Sequence, residues 1–173
     1  MQDVKQIYYH FLEHHDWKVY IACTVKGLCY VGTEHSSMNE LVSCCRKQFP
    51  NCDIIENEEK LTPYKNELIE YFEGKRTSFS FTFDIRGTTF QMAVWKALQE
   101  IPFGQSRCYS DIAFKIGNPK AVRAVGTAIG SNPVAIVIPC HRVLGKNGTL
   151  TGFSGGLDIK EKLLNLEGIT YKP

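Results

Sequence analysis

The sequence has no hydrophobic run that could cross a membrane and no leader of the secretory type. None of its 173 residues falls in a stretch approaching the roughly 18 consecutive apolar residues of a transmembrane helix. Residues 1–6, MQDVKQ, lack the basic and then apolar order of a signal peptide. These absences predict a cytoplasmic protein without a membrane partner.

Paired cysteine spacings are also lacking. The seven cysteines are odd in number and include no C-x-x-C motif, which fits free thiols in a reducing compartment better than a disulfide framework. The N-terminal half supplies the ligand types of a metal site, but without paired ligand spacing, so we expect no metal. The residues concerned are Cys23, Cys29, Cys44, Cys45, Cys52, His10, His14, His15 and His35.

Acidic residues are scarce in the second half of the chain. Residues 90–173 carry 10 Lys and Arg against 5 Asp and Glu, a net charge of +5, whereas residues 1–89 carry 10 against 13, a net of −3. A basic half favours a polyanionic partner, although a solvated basic face would have the same composition. The hydrophobic content of 43% suffices for one large domain or two small ones.

Hydrophobic periodicity in the first half predicts a small sheet with helices. A hairpin, two helices and a third strand of phenylalanines alternating with polar residues are expected there. The predicted strands are Lys18–Thr24, Leu28–Val31 and Phe79–Phe83; the predicted helices are Ser37–Phe49 and one opened by Thr62-Pro63 and closed by Gly74. This half is interpreted as a scaffold.

The basic half carries a helix-turn-helix pattern. Thr89 is predicted to cap a helix that runs to about Glu100, and Ser110 to cap the next one. Gly117-Asn118-Pro119 then breaks the chain before a third helix of small residues. That helix lacks the Asn and Gln side chains that read base edges in the major groove. Its composition favours either close approach to a groove without sequence readout or tight packing on another helix.

A cysteine and a histidine follow a β-branched run. The run Ile136–Ile138 predicts a short buried strand, which Pro139 ends, so that Cys140 lies at the strand terminus beside His141. A neighbouring base or positive charge favours the reactive thiolate. From this segment alone, Cys140 is either a nucleophile or a small buried hydrophobe.

Several motifs occur in one order along the second half. They are Asn118-Pro119-Lys120-Ala121, Arg123-Ala124-Val125-Gly126, Asn132-Pro133, Ile138 to Val143, Gly152 to Leu157, and Leu163 to Glu167. In register from about Phe72 to Glu167, the chain resembles the O6-alkylguanine-DNA alkyltransferases. The resemblance implies an α/β (α+β) protein of two domains. These are a ribonuclease-H-like scaffold over residues 1–84 and a mainly helical, winged-helix-like domain over residues 85–173.

The resemblance also implies direct reversal of DNA damage. The protein would flip O6-alkylguanine out of double-stranded DNA and transfer the alkyl group irreversibly to Cys140, once per molecule, as a monomer without a cofactor. O4-alkylthymine is an expected second substrate. Base flipping is needed because an atom on the pairing edge of guanine is out of reach inside the duplex.

The family's roles carry over to matching residues. His141 would act as a base on Cys140 through a water, Glu167 would orient His141, and Tyr109 would donate a proton and contact a phosphate. Asn132 would be a structural hinge. Arg123 would be the finger that replaces the flipped base; the other expected DNA contacts are Lys120, Ala121, Ala124, Gly126, Thr127 and Arg142. The expected pocket residues are Val143, Phe153, Ser154 and Gly155.

Three other functions remain open from the sequence. A module that recognises alkylated guanine without repairing it would replace Cys140, which is present here. A transcription regulator would need base-reading side chains on the third helix, and a thiol hydrolase would need an acyl pocket with oxyanion donors. Neither feature is evident in the sequence.

Overall fold

The structure is a computed structural model that describes residues 4–173. The chain divides into two compact units, residues 1–86 and residues 87–173. The first contains β1 (Gln6–His14), β2 (Trp17–Thr24), β3 (Gly27–Val31), α1 (Met38–Gln48), β4 (Asp53–Glu56) and α2 (Glu58–Phe72). The second contains α3 (Thr89–Gln99), β5 (Arg107–Cys108), α4 (Tyr109–Lys115), α5 (Val122–Gly130), a 3-10 helix (Cys140–Arg142), β6 (Val143–Leu144), a second 3-10 turn (Lys146–Gly148) and α6 (Leu157–Glu167).

The first unit is a sheet with one helix on each face. Its strand order is β3-β2-β1-β4, in which β4 runs parallel to β1 and the other pairs are antiparallel. Because side chains alternate along a strand, Ala22 faces α1 and its core residue Leu41, whereas Trp17 faces α2 and stacks on Phe72 at 4.4 Å. The predicted hairpin and the first helix are present, and sequence analysis missed β1 and β4.

Helix α2 begins one turn before the predicted Thr62-Pro63 start. Asn57 is the N-cap, its side chain accepting from the Lys60 backbone N–H at 3.1 Å, and acidic residues occupy the first turn. Pro63 therefore lies inside the helix, as its sixth residue, where it cannot donate the hydrogen bond that the Glu59 carbonyl would otherwise accept.

The predicted strand Phe79–Phe83 is wrong. Among the described residues, this segment makes only an isolated bridge between Leu28 and Phe83. Two of its three phenylalanines instead pack on α2, with Phe81 4.9 Å from Tyr64 and Phe79 5.5 Å from Tyr71 between ring centroids. When every second residue of a segment packs on a helix, the sequence shows the same alternation of apolar and polar residues as a half-buried strand.

In the second unit, α3 and α5 are joined through the side chain of Trp95. Its indole Nε1 donates to the Ala128 carbonyl at 2.9 Å, and the ring is buried. Helix α3 begins with a capping box between Thr88 and Gln91, one residue before the predicted cap. Helix α4 begins at Tyr109, so Ser110 lies in its first turn and is not its cap.

The β-branched run before the cysteine is buried but forms no strand in the described chain. Residues 135–137 form turns, and Ile136 has a φ of 73°, a left-handed conformation that is rare for a β-branched residue. Asn132 holds this segment: its side chain accepts from the Val134 N–H and donates to the Ile138 carbonyl, both at 2.9 Å. These bonds override the local strand preference.

Within the described residues, no helix has the length and apolarity needed to cross a membrane. Over the same residues, no group of three or more Cys, His, Asp and Glu side chains could hold a metal ion.

Candidate active site

Cys140 opens the 3-10 helix that follows Pro139 and lies at a pocket of about 220 Å³. Only 4% of the residue is exposed. The pocket lining comes from four segments: the start of α4, one face of α5, the 3-10 helix and the loop before α6. The residues are Tyr109, Gly126, Ile129, Gly130, Cys140, Gly152, Phe153 and Ser154. A thiol with one open side can meet a small group that enters this pocket.

Burial and the neighbouring polar groups have opposite effects on the pKa of the Cys140 thiol. Burial raises the pKa of Cys140, while the Asn132 amide and the positive charge of Lys160 lower it. Because burial is the largest effect, the thiol is protonated at neutral pH and needs a base before it can attack.

His141 is fully buried and bonded to Glu167. Its Nε2 lies 2.6 Å from Oε2 of the glutamate, and both side chains have no exposed area. Burial lowers the pKa of His141, against the opposing effect of Glu167, so the ring is neutral. A neutral ring that donates from Nε2 to a carboxylate carries its lone pair on Nδ1. Among the described residues, Nδ1 is buried without a hydrogen-bond partner.

Arg142 does not lie on a DNA-facing surface, in contrast to the expectation from sequence. Only 6% of it is exposed, and its Nε and Nη2 donate to the two oxygens of Glu167 at 2.7 and 3.1 Å. Its Nη1 donates to the Ile101 carbonyl at 2.6 Å. The bidentate contact with a carboxylate fixes Arg142 in the interior, where its charge is compensated by that of Glu167.

Lys160 is a buried cation that sequence analysis missed. Only 1% of the residue is exposed, and its Nζ donates to the carbonyls of Val143 and Thr151 at 2.7 and 3.2 Å. Burial lowers its pKa to about 8, and the nearby Cys140 opposes this effect. The sequence does contain a signal for the burial of Lys160. It lies seven residues before Glu167 on the same stripe of α6 as the buried leucines.

Of the residues expected at the pocket, Tyr109, Phe153 and Ser154 line the cavity, whereas Val143 and Gly155 are buried and do not belong to its lining. The Tyr109 hydroxyl lies 3.0 Å from Oγ1 of Thr151, a residue that sequence analysis did not single out. Phe153 and Ser154 line the pocket, and Gly155 is buried beside them. Val143 is fully buried; its backbone carbonyl, bonded to Lys160, belongs to the site more directly than its side chain.

Helix α5 presents an exposed face of small residues and one arginine. Val125, Ala128 and Ile129 form its buried side. The residues of the helix and its approach that are expected to contact DNA are all exposed or half-exposed: Lys120, Ala121, Arg123, Ala124, Gly126 and Thr127. The Thr127 hydroxyl bonds back to the Arg123 carbonyl at 3.3 Å, so the guanidinium of Arg123 is the one long polar group that this helix carries.

Comparison with known families decides the identity of both units. Residues 7–85 match the family described as 6-O-methylguanine DNA methyltransferase, ribonuclease-like domain, and residues 89–169 match the DNA binding domain of the same family. The chain belongs to the 6-O-methylguanine DNA methyltransferase family. Its ribonuclease-like fold and its membership of the family were both predicted correctly from the sequence.

Relatives of this methyltransferase chain are similar over most of its length. The inducible methylated-DNA--protein-cysteine methyltransferase of Bacillus subtilis is 52% identical over 161 residues, which cover 93% of this chain and 90% of the relative. The methyltransferase of Methanosarcina mazei is 45% identical over 161 residues, with coverages of 93% and 97%.

A solved structure of the Mycobacterium tuberculosis O6-methylguanine methyltransferase is 36% identical, with a TM-score of 0.80, and covers 93% of this chain and 92% of its own. The structure of the mycobacterial protein in complex with DNA has a TM-score of 0.79 at 36% identity, with coverages of 94% and 92%. Residues 89–169 of the present methyltransferase are therefore its DNA-binding domain, and DNA is its partner.

Proposed function

We propose that this methyltransferase repairs DNA by direct reversal of O6-alkylguanine damage, with Cys140 as the acceptor of the alkyl group. The observation that carries the proposal is the position of the thiol. Cys140 lies at a pocket of about 220 Å³ in the DNA-binding domain, and the buried His141–Glu167 pair follows it in the same domain. The relatives' names describe the same transfer to a protein cysteine.

The target base must leave the duplex before it can enter this pocket. Extrusion costs a few kcal/mol, and less for a lesion that pairs badly, which contributes selectivity. Arg123, on the exposed face of α5, fills the space in the stack, while Lys120 approaches the phosphates. The small residues Ala121, Ala124, Gly126 and Thr127 let the helix approach the groove without reading sequence.

Formation of the thiolate depends on the neutral imidazole. Nδ1 of His141 carries the lone pair, and one water that bridges it to the Cys140 thiol would take the proton to the ring. Glu167 then stabilises the imidazolium that forms, and Arg142 holds the Glu167 carboxylate in place. Asn132 holds the turn that aims the thiol and donates to it.

The transfer is a displacement at the alkyl carbon. A bond forms between Cys140 Sγ and that carbon as the bond from carbon to guanine O6 breaks, and the electron pair stays on guanine. Tyr109 gives the leaving base a proton, and the thiol's proton on His141 restores Tyr109 through solvent. The pocket walls Phe153 and Ser154, with Gly155 and the Val143 backbone, hold the base. O4-alkylthymine presents the same alkyl–oxygen bond and is a second substrate.

A thioether is not hydrolysed in this site, so each molecule acts once. The proposed protein acts as a monomer and uses no cofactor. The test is a single-turnover incubation of the protein with a duplex that contains one O6-methylguanine, followed by nucleoside chromatography of the DNA. Guanine appears in place of O6-methylguanine, up to one equivalent of protein. Release of a free base, or a bound but unchanged lesion, would contradict the proposal and favour excision or recognition alone.

A further inference from the structure

Thr151 is bonded to Tyr109, the residue on which the proposed protonation of guanine depends. The two hydroxyl oxygens are 3.0 Å apart, and Tyr109 lines the pocket that contains Cys140. Both hydroxyls can donate or accept, so the pair has two arrangements. If Tyr109 donates to Thr151, its proton faces away from the base. If Thr151 donates to Tyr109, the phenol proton is free to point into the pocket.

The backbone around Thr151 is fixed by contacts independent of the tyrosine. Its carbonyl accepts from Nζ of the buried Lys160 at 3.2 Å, and the same ammonium holds the Val143 carbonyl at 2.7 Å. Its methyl group packs against Gly145, where an added Cβ would lie only 2.6 Å from Cγ2 of Thr151. A hydroxyl held from two sides in this way is preorganised for its partner.

We propose that Thr151 is a positioning residue for Tyr109, donating to the phenol oxygen when a base is bound so that the phenol proton points at the leaving guanine. This inference rests on the proposed function. A hydrogen bond accepted by the phenol oxygen also stabilises the phenolate that remains after the proton has left. The effect therefore acts on the transfer step, and the binding of DNA does not depend on it.

Two substitutions separate the hydroxyl from the rest of the side chain. Thr151→Val replaces the hydroxyl by a methyl group and keeps the packing on Gly145, whereas Thr151→Ser keeps the hydroxyl and loses the methyl. We expect Thr151→Val to lower the single-turnover rate constant at saturating DNA about tenfold, since general acid catalysis contributes on the order of 100-fold or more in total. Thr151→Ser should retain most of the rate, and neither should change the dissociation constant for DNA.

The deciding measurement is a double-mutant cycle with Tyr109→Phe, using the same rate constant and with thermal unfolding to verify that each variant folds. If Thr151 acts through the phenol, Thr151→Val has no further effect in the Tyr109→Phe background. Equal losses in both backgrounds, or a Thr151→Val rate equal to wild type, would overturn this inference while leaving the proposed function intact. A wild-type protein that transfers no methyl group would overturn both.

Discussion

The carboxylate of Glu167 joins two consecutive residues of the active-site turn, His141 at 2.6 Å and Arg142 at 2.7 Å. It also accepts from the Gly104 backbone N–H at 3.1 Å. One buried carboxylate therefore orients the base of the reaction and at the same time neutralises a buried arginine. The C-terminal end of α6 is both a structural and a chemical part of the site.

Glu167→Gln should affect stability and transfer together. It keeps the size of the side chain but leaves Arg142 as an uncompensated buried charge, so the free energy of unfolding falls by about 3 kcal/mol. Loss of support for the imidazolium should lower the single-turnover rate on the order of 100-fold. Urea unfolding and rapid-quench transfer measure the two effects, and Glu161→Gln on the same helix is the control. A rate equal to wild type in a folded Glu167→Gln protein would contradict the proposed role of Glu167 in supporting His141.

Replacing Arg142 by lysine should affect mainly stability, whereas replacing Arg123 by lysine should affect mainly transfer from DNA. Arg142→Lys loses the two-pronged contact with Glu167 and should lower the free energy of unfolding by about 2 kcal/mol. Arg123→Lys alters an exposed side chain and should change stability by less than about 0.5 kcal/mol, while transfer from duplex DNA falls. A stable Arg142→Lys protein with weakened DNA binding would show instead that Arg142 contacts DNA.

The transfer rate should fall in acid because the imidazole becomes protonated. Burial lowers the pKa of His141 below its usual 6.5 and raises that of the Cys140 thiol above its usual 9.0, so the neutral ring and the thiol are the forms present near neutral pH. The rate constant should stay level until the pH drops below 6.5 and then decline. The measurement is a pH series of single-turnover rates, beside His141→Gln. An acid decline of the same shape in that variant would contradict the assignment of the base.

Lys160 should make stability depend on alkaline pH. Its pKa falls from 10.5 to about 8 on folding, so between those values the unfolded chain holds more protons than the folded one. The contribution of Lys160 to the free energy of unfolding therefore rises as the pH increases through this window, by about 3 kcal/mol in total. The difference in unfolding free energy between wild type and Lys160→Met isolates this contribution. A difference that stays constant from pH 8 to pH 10.5 would show that Lys160 titrates normally.

The helices and the cysteine motif could be predicted from sequence because their signals are local. Caps, breakers and apolar spacing placed α1, α3 and α5 within a few residues, and the motif around Cys140 identified the family. The run Ile136–Ile138 was misread because hydrogen bonds from Asn132 impose turns on residues with strand preference.

The contacts that complete the site join residues far apart in the chain. Arg142 was expected on the DNA from the resemblance, because its contact with Glu167, 25 residues later, cannot be recognised in the sequence. Lys160 and Thr151 were missed for the same reason: their partners, Val143 and Tyr109, lie 17 and 42 residues away. Of these two residues, only Lys160 could have been found from the sequence, through its helical spacing from Glu167 on α6.

The most direct test of the account is mass spectrometry of the protein after incubation with a duplex that contains O6-methylguanine. We expect a gain of a single CH2 unit, saturating at one per molecule, on the peptide that contains Cys140. Cys140→Ser should abolish the gain, whereas Cys108→Ser, at a half-exposed thiol of the same domain, should leave it unchanged. A methyl group on another cysteine, or an unmodified protein that still binds the duplex, would contradict Cys140 as the acceptor.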